Sequence, residues 1–139
     1  MSMNPIKALL LITTALVLAG CSSTPKSVAG NYALLTLTDA SVAVDEPIIM
    51  HVRETSIAGS GPVNQWQAPI SDGIIGQMIS TRRAGPPAMM QLESNLLTAL
   101  EGAKFELDAR GKLTFKKKRN VTAVFQYVDI DPKASSTQK

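Results

Sequence analysis

The segment Pro86–Val128, PPAMMQLESNLLTALEGAKFELDARGKLTFKKKRNVTAVFQYV, holds two hydrophobic periods in succession. Up to Glu101 the apolar residues Met89, Leu92, Leu96, Ala99 and Leu100 recur at steps of three and four, on one face of a helix. Pro86 and Pro87 suit the first turn, where a missing N–H has no partner, and Gly102 supplies a left-handed stop. A helix of about four turns follows, over roughly 88–101. From Lys104 onward the period falls to two. Lys104–Asp108 alternates with Phe105 and Leu107 inward, and Lys112–Lys116 repeats the pattern with Leu113 and Phe115. Between them, Asp108-Ala109-Arg110-Gly111 has Asp first and Gly last, as a tight turn prefers. Lys117–Asn120 turns the chain again into Val121–Val128. The segment therefore predicts one helix followed by a three-stranded meander.

Three strands are too few to cover the apolar face of that helix, so strands upstream must join the same sheet. Tyr32–Thr38 reads as an edge or first strand. Ile48–Arg53 alternates, with Ile48, Met50 and Val52 on one face and Ile49, His51 and Arg53 on the other. Ile74–Thr81 reads as a further strand in which Gly76 marks a bulge. No internal repeat is present. The expected fold is α+β: an antiparallel, partly open β-barrel or curved sheet packed on one α-helix, over residues 30–130.

The N-terminal stretch has a different character. Lys7 precedes a short apolar run, Ala8–Val17, and then Leu18-Ala19-Gly20-Cys21. A secretory signal peptide has this layout, with small residues before the cut. Leu-Ala-Gly-Cys resembles the bacterial lipobox, which implies cleavage between Gly20 and Cys21 and acylation of Cys21. Cys21 is the sole cysteine of the 139 residues. A buried methylene contributes about 0.8 kcal/mol, so one acyl chain holds marginally and two or three hold durably. Ser22 stands where an Asp would resemble an inner-membrane retention signal. The expectation is a protein lipid-anchored in the outer membrane and facing the periplasm. On this reading residues 1–20 are a lipoprotein signal peptide, 21–29 a lipidated tether and 131–139 a disordered tail.

Composition narrows the function. Loss of residues 1–20 leaves 119 residues, in which 13 Lys and Arg face 11 Asp and Glu. That excess is too mild for a nucleic-acid protein. A single cysteine and a single histidine leave no N/S metal cluster and no disulfide framework. His51 alone could serve a Ser–His–Asp hydrolase, and Ser60 between Gly59 and Gly61 is not a Gly-x-Ser-x-Gly elbow. A solvent-facing imidazole beside a polar neighbour is the better reading. Asp45-Glu46 and the pair Asp129 and Asp131 flank prolines at strand ends and read as solvated turns. Lys116–Arg119 could meet anionic headgroups, but four charges at a hairpin turn also discourage edge pairing. Trp66, between Pro62 and Pro69, reads as a core plug or a small recognition patch.

Two segments resemble the META domain of the HslJ-like lipoproteins. Gly59-Ser60-Gly61-Pro62-Val63-Asn64-Gln65-Trp66 is similar to that family's Gly-rich loop, which ends in Cys-Asn and an aromatic residue. Ser80–Glu93 is similar to its Thr-Arg/Lys-x-x-Cys-Pro stretch, which leads into a helix with Met and Glu three apart. Gly59, Gly61, Asn64, Trp66, Thr81, Arg82, Pro86, Met90 and Glu93 carry the match. Val63 and Gly85 stand where family members often have cysteines, and losing both together fits a pair bonded to each other.

The resemblance implies an antiparallel, partly open β-barrel packed on one helix and no established enzymatic activity; no catalytic residues, no metal and no cofactor are expected. It also implies association with envelope stress or novobiocin tolerance. The expected protein is thus a monomeric, non-enzymatic lipoprotein, reaching the membrane through its anchor and binding an envelope protein or peptide. Alternatives are a pilot or chaperone for an outer-membrane or secretion protein, and a small periplasmic hydrolase resting on His51.

Overall fold

A computed structural model describes residues 27–38, 40–41 and 45–130. The expected signal peptide, Cys21, most of the expected tether and the expected tail lie outside the described residues. The N-terminal half forms β1 (Gly30–Leu37), β2 (Ala40–Ser41), β3 (Ile49–Val52), β4 (Ser56–Ser60), β5 (Gln65–Ser71), β6 (Ile74–Ile75) and β7 (Ile79–Ser80). Helix α1 (Pro87–Leu100) follows, then β8 (Lys104–Leu107), β9 (Lys112–Lys117) and β10 (Asn120–Val128). Pairing is antiparallel in the order β10-β9-β8-β6-β5-β4-β3-β1, and β1 pairs back onto β10. Eight strands thus close a barrel, with β2 added on β1 and β7 on β5. This is the α+β barrel with one helix that the sequence predicts. Its narrowest seam lies between β6 and β8, where Ile74 and Lys104 form the one registered pair. Gly102 N–H donates to Ile75 O (2.8 Å) and Ile75 N–H to Ala103 O (3.0 Å) across that seam.

Alternation explains the core. Met50 and Val52 on β3, Leu113 and Phe115 on β9, and Ala123 and Phe125 on β10 all point inward and are buried. Phe115 stacks edge-on to Phe125 with centroids 5.6 Å apart. Trp66 is buried too and fills the barrel over Gly59, where a β-carbon would lie 2.5 Å from its ring. The core reading of Trp66 therefore holds. Helix α1 packs on β10 and β1, and Leu96 and Leu100 are fully buried. Gly102 has φ 75°, the left-handed stop expected after the helix.

Tyr32–Thr38, expected as an edge or first strand, is the first strand, and it lies inside the sheet: β1 pairs with β10, β3 and β2. Other sequence expectations are corrected. Ile74–Thr81 is not one bulged strand but two short ones, β6 and β7. Pro69 on β5 faces the gap, accepting Gly76 N–H (2.8 Å) with no N–H to give back, so the ladder is interrupted. Ser56–Ser60 and Gln65–Ser71, to which the sequence reading assigns no strand, form the β4–β5 hairpin. Finally, Met89 is 45% exposed although assigned to the inner helix face, because the first turn of α1 overhangs the barrel. The inward position there belongs to Glu93.

Candidate functional site

Glu93 sits on α1, 4% exposed, and reaches back to the β4–β5 turn. Its Oε2 accepts the backbone N–H of Val63 (3.0 Å) and of Asn64 (2.7 Å), and its Oε1 accepts Asn64 Nδ2 (2.6 Å). Asn64, 5% exposed, extends the network. Its Oδ1 accepts Thr81 Oγ1 (2.9 Å) and Arg83 N–H (2.6 Å), while Nδ2 also meets Arg83 O (3.3 Å). Gln65 N–H donates to Thr81 Oγ1 (3.1 Å), and Thr81 N–H donates to Gln65 O (2.9 Å). A helix, a hairpin turn and the irregular segment before α1 are thereby clasped by two side chains. Gly61 lets the carboxylate in, since a β-carbon there would lie 2.5 Å from Glu93 Oε2.

The chemistry of this clasp follows from its donors. Three N–H groups converge on one carboxylate, an acceptor-only group. Both of its oxygens are engaged by donors of the β4–β5 turn. The arrangement holds chain segments together. Of the residues carrying the family resemblance, Gly61, Asn64, Thr81 and Glu93 meet in it, Gly59 and Trp66 pack beneath it, and Pro86 precedes the helix as its N-cap residue. Arg82 is exposed, and Met90 lies 39% exposed with its sulfur 3.3 Å from Gly85 N. Val63 and Gly85 stand side by side: a β-carbon at Gly85 would be 3.4 Å from Val63 Cβ.

Beside the clasp runs an open groove of about 600 Å³, between α1 and the segment that includes β7. Met78, Met90 and Leu97 give it apolar surface, Arg82 and Arg83 flank one part and Lys117 another. Of its lining, Asn64, Thr81, Arg82, Met90 and Glu93 carry the family resemblance and Lys117 belongs to the basic run. Nothing in the sequence marks them as one groove, because its walls come from segments that meet only through the clasp. Glu101 accepts Met78 N–H (2.9 Å) and so ties the far wall.

Other sequence candidates are placed apart from the clasp. His51 is exposed and its Nδ1 meets Asn31 Oδ1. Ser60 lines the same shallow depression, but an amide does not stabilise an imidazolium as the carboxylate of a triad does. Asp45, Glu46 and Asp129 are exposed, while Asp131 lies outside the described residues. The basic run divides: Lys116 pairs with Glu106 (2.7 Å), Lys117 Nζ donates to Thr98 O at the end of α1, and Lys118 and Arg119 are exposed.

Together these features define a small α+β barrel domain, plugged by aromatic residues and clasped to its helix by one buried carboxylate. The sequence matches the META domain over residues 26–129, and the chain belongs to that family. The META domain is not a known catalytic family. Two NMR structures are similar in fold, each 20% identical to this chain. One covers 72% of this chain and 90% of its own with a TM-score of 0.55. The other, of a protein from Burkholderia xenovorans, covers 73% of this chain and 83% of its own with a TM-score of 0.54. No curated protein matches the sequence.

Proposed function

We propose that the protein is a lipid-anchored, non-enzymatic binding domain of the bacterial outer membrane, serving envelope maintenance, stress or antibiotic tolerance by holding a partner in the α1–β7 groove. The observation that carries this reading is that Gly30, where β1 begins, and the groove lie at opposite ends of the barrel. Gly30 is in register with Val52, and Asn31 with Val128. Leu37, at the far end of β1, is in register with Ala123, close to the Lys117–Asn120 turn that reaches the groove. A protein held by Cys21 would therefore turn its groove away from the membrane. The closed hydrogen-bonding of Glu93 supports binding over catalysis.

Two experiments test this. Cys21→Ala is expected to abolish acyl labelling and release the protein from the outer membrane; unchanged fractionation overturns the anchor. A photo-cross-linking residue at Ser94, in the groove, is expected to trap an envelope partner in cells, whereas one at Arg110, at the tether end, is not. Equal trapping at both positions contradicts the assignment of the groove. A pilot or chaperone role for an outer-membrane protein is the second reading, favoured by the outer edge of β7, which no strand among the described residues pairs.

A further inference from the structure

Strand β7 is paired on one side only. Trp66 is in register with Ser80 and Gln67 with Ile79, and no other strand among the described residues pairs with β7. Thr81 N–H donates to Gln65 O on β5. An antiparallel ladder alternates, so the N–H and C=O of Ser80 turn away from β5, toward the groove that Ser80 lines. The groove is therefore a slot with a helix on one side and a free strand edge on the other. A free edge is a template for another extended chain.

Charge and apolar surface narrow what fits. Arg82 and Arg83 line the slot beside Met90, and Lys117 lines it beside Thr98. Lys118 and Arg119 are exposed on the adjoining turn. The two carboxylates in the lining are already engaged: Glu93 by three N–H groups and Glu101 by Met78 N–H. The exposed guanidinium groups thus have no carboxylate partner in the slot, while Met78, Met90 and Leu97 offer apolar contact between the cationic regions.

We propose that this slot takes an extended, acidic segment of a partner protein by strand addition to the outer edge of β7, with acidic side chains against Arg82, Arg83 and Lys117 and an apolar one over Met78, Met90 and Leu97. Main-chain hydrogen bonds to Ser80 supply the pairing, and alternate side chains supply the selectivity. The inference rests on the partner-binding reading of the groove but not on the anchor, so loss of Cys21 acylation tests a separate claim.

The test uses the full chain in detergent micelles and a capped hexapeptide of alternating aspartate and leucine. Binding is expected, with the Ser80 amide becoming protected from hydrogen exchange. N-methylation of one alternate set of peptide nitrogens should abolish binding and methylation of the other set should not, since only one set faces β7. Arg82→Glu with Arg83→Glu should weaken the peptide about tenfold or more, by reversing charges at the rim, and improve a lysine-for-aspartate peptide. Both side chains are exposed, and an unchanged melting temperature in the double variant shows that folding is intact. Equal binding of the lysine peptide, or indifference to both methylation sets, overturns the proposal. Preferential binding of phosphatidylglycerol vesicles through the two arginines overturns it in favour of a headgroup site. Concentration-dependent self-association that blocks the slot overturns it in favour of a second copy.

Discussion

The meander β8–β10 and the quarter comprising β4–β7 are both antiparallel, yet different forces hold them. The meander alternates cleanly and buries Leu113, Phe115, Ala123 and Phe125 against one another. The β4–β7 quarter has short strands, a proline in its ladder and the loop-like sequence Gly59–Gln65. Ile57, Trp66, Ala68 and Ile75 still turn into the core there, but the β4–β5 turn and the segment before α1 depend on Glu93 and Asn64, two buried polar side chains whose hydrogen bonds join them. The contrast has a functional side. Beside that polar clasp the walls separate, and a groove with a free strand edge becomes available.

Substitutions can break this comparison at either end. The largest effect is expected from Leu96→Asp, which puts an unpaired charge at a fully buried site of the helix. It should leave no folded protein by circular dichroism, whereas Glu101→Ala, losing one exposed hydrogen bond to Met78 N–H, should cost about 1 kcal/mol. Similar melting temperatures for the two would mean the helix face is wrongly assigned.

Next in size is Glu93→Ala. It leaves three donors unmet, and removing one partner of a buried charged network costs about 3 kcal/mol. Urea denaturation followed by Trp66 fluorescence should show that loss; a cost below about 1 kcal/mol would reduce the clasp to an ordinary surface contact.

A pair of changes sharpens the comparison with opposite signs. Gly85→Ala should destabilise by about 1–3 kcal/mol, because its methyl would lie 2.6 Å from a Val63 γ-carbon. Val63→Cys with Gly85→Cys removes those methyls and sets the β-carbons near the 3.5–4.5 Å that a disulfide needs (about 3.8 Å on average). The backbone of Gly85 lies outside the left-handed region, so a β-carbon adds no φ strain. Under oxidising conditions the double variant should gain up to about 3 kcal/mol from closing a loop between positions 63 and 85. Two free thiols in the folded double variant would contradict the geometry.

The smallest effect belongs to the meander. Asp108 Oδ1 accepts Lys112 N–H and Arg110 N–H, and these bonds hold its carboxyl below the ordinary carboxylate range. A lowered folded-state value contributes stability that is present above the unfolded value and is lost as pH falls through the folded one. Asp108→Asn should therefore lower stability slightly at neutral pH, where that contribution is present, and leave it nearly unchanged near about pH 3 or below, so the profile flattens between them, measured by urea midpoints. A larger change at pH 3 than at pH 7 would contradict it.

The same contrast decided what the sequence could reveal. Helix α1, its stop at Gly102 and all three strands of the meander follow from periods of 3.6 and 2 together with turn chemistry. The β4–β5 hairpin did not, since Ser56–Ser60 offers Ile57 as its one large apolar side chain and Pro69 and Gly59 weaken any strand pattern. Glu93 and Asn64 were legible only through a family resemblance. Periodicity assigns a carboxylate to solvent, and nothing local records the three N–H groups that a distant turn brings to it. The groove had no sequence signature at all, because it is the space left between segments joined by that clasp.

Native-state hydrogen exchange on the Glu93→Gln variant tests the central claim, that one carboxylate organises the β4–β7 quarter while the meander stands on its own packing. The account predicts faster exchange at Val63, Asn64 and Arg83, whose amides are bound within the clasp, and unchanged exchange across Leu113–Phe115 and Ala123–Phe125. Uniform acceleration over both regions, or none in either, would contradict it.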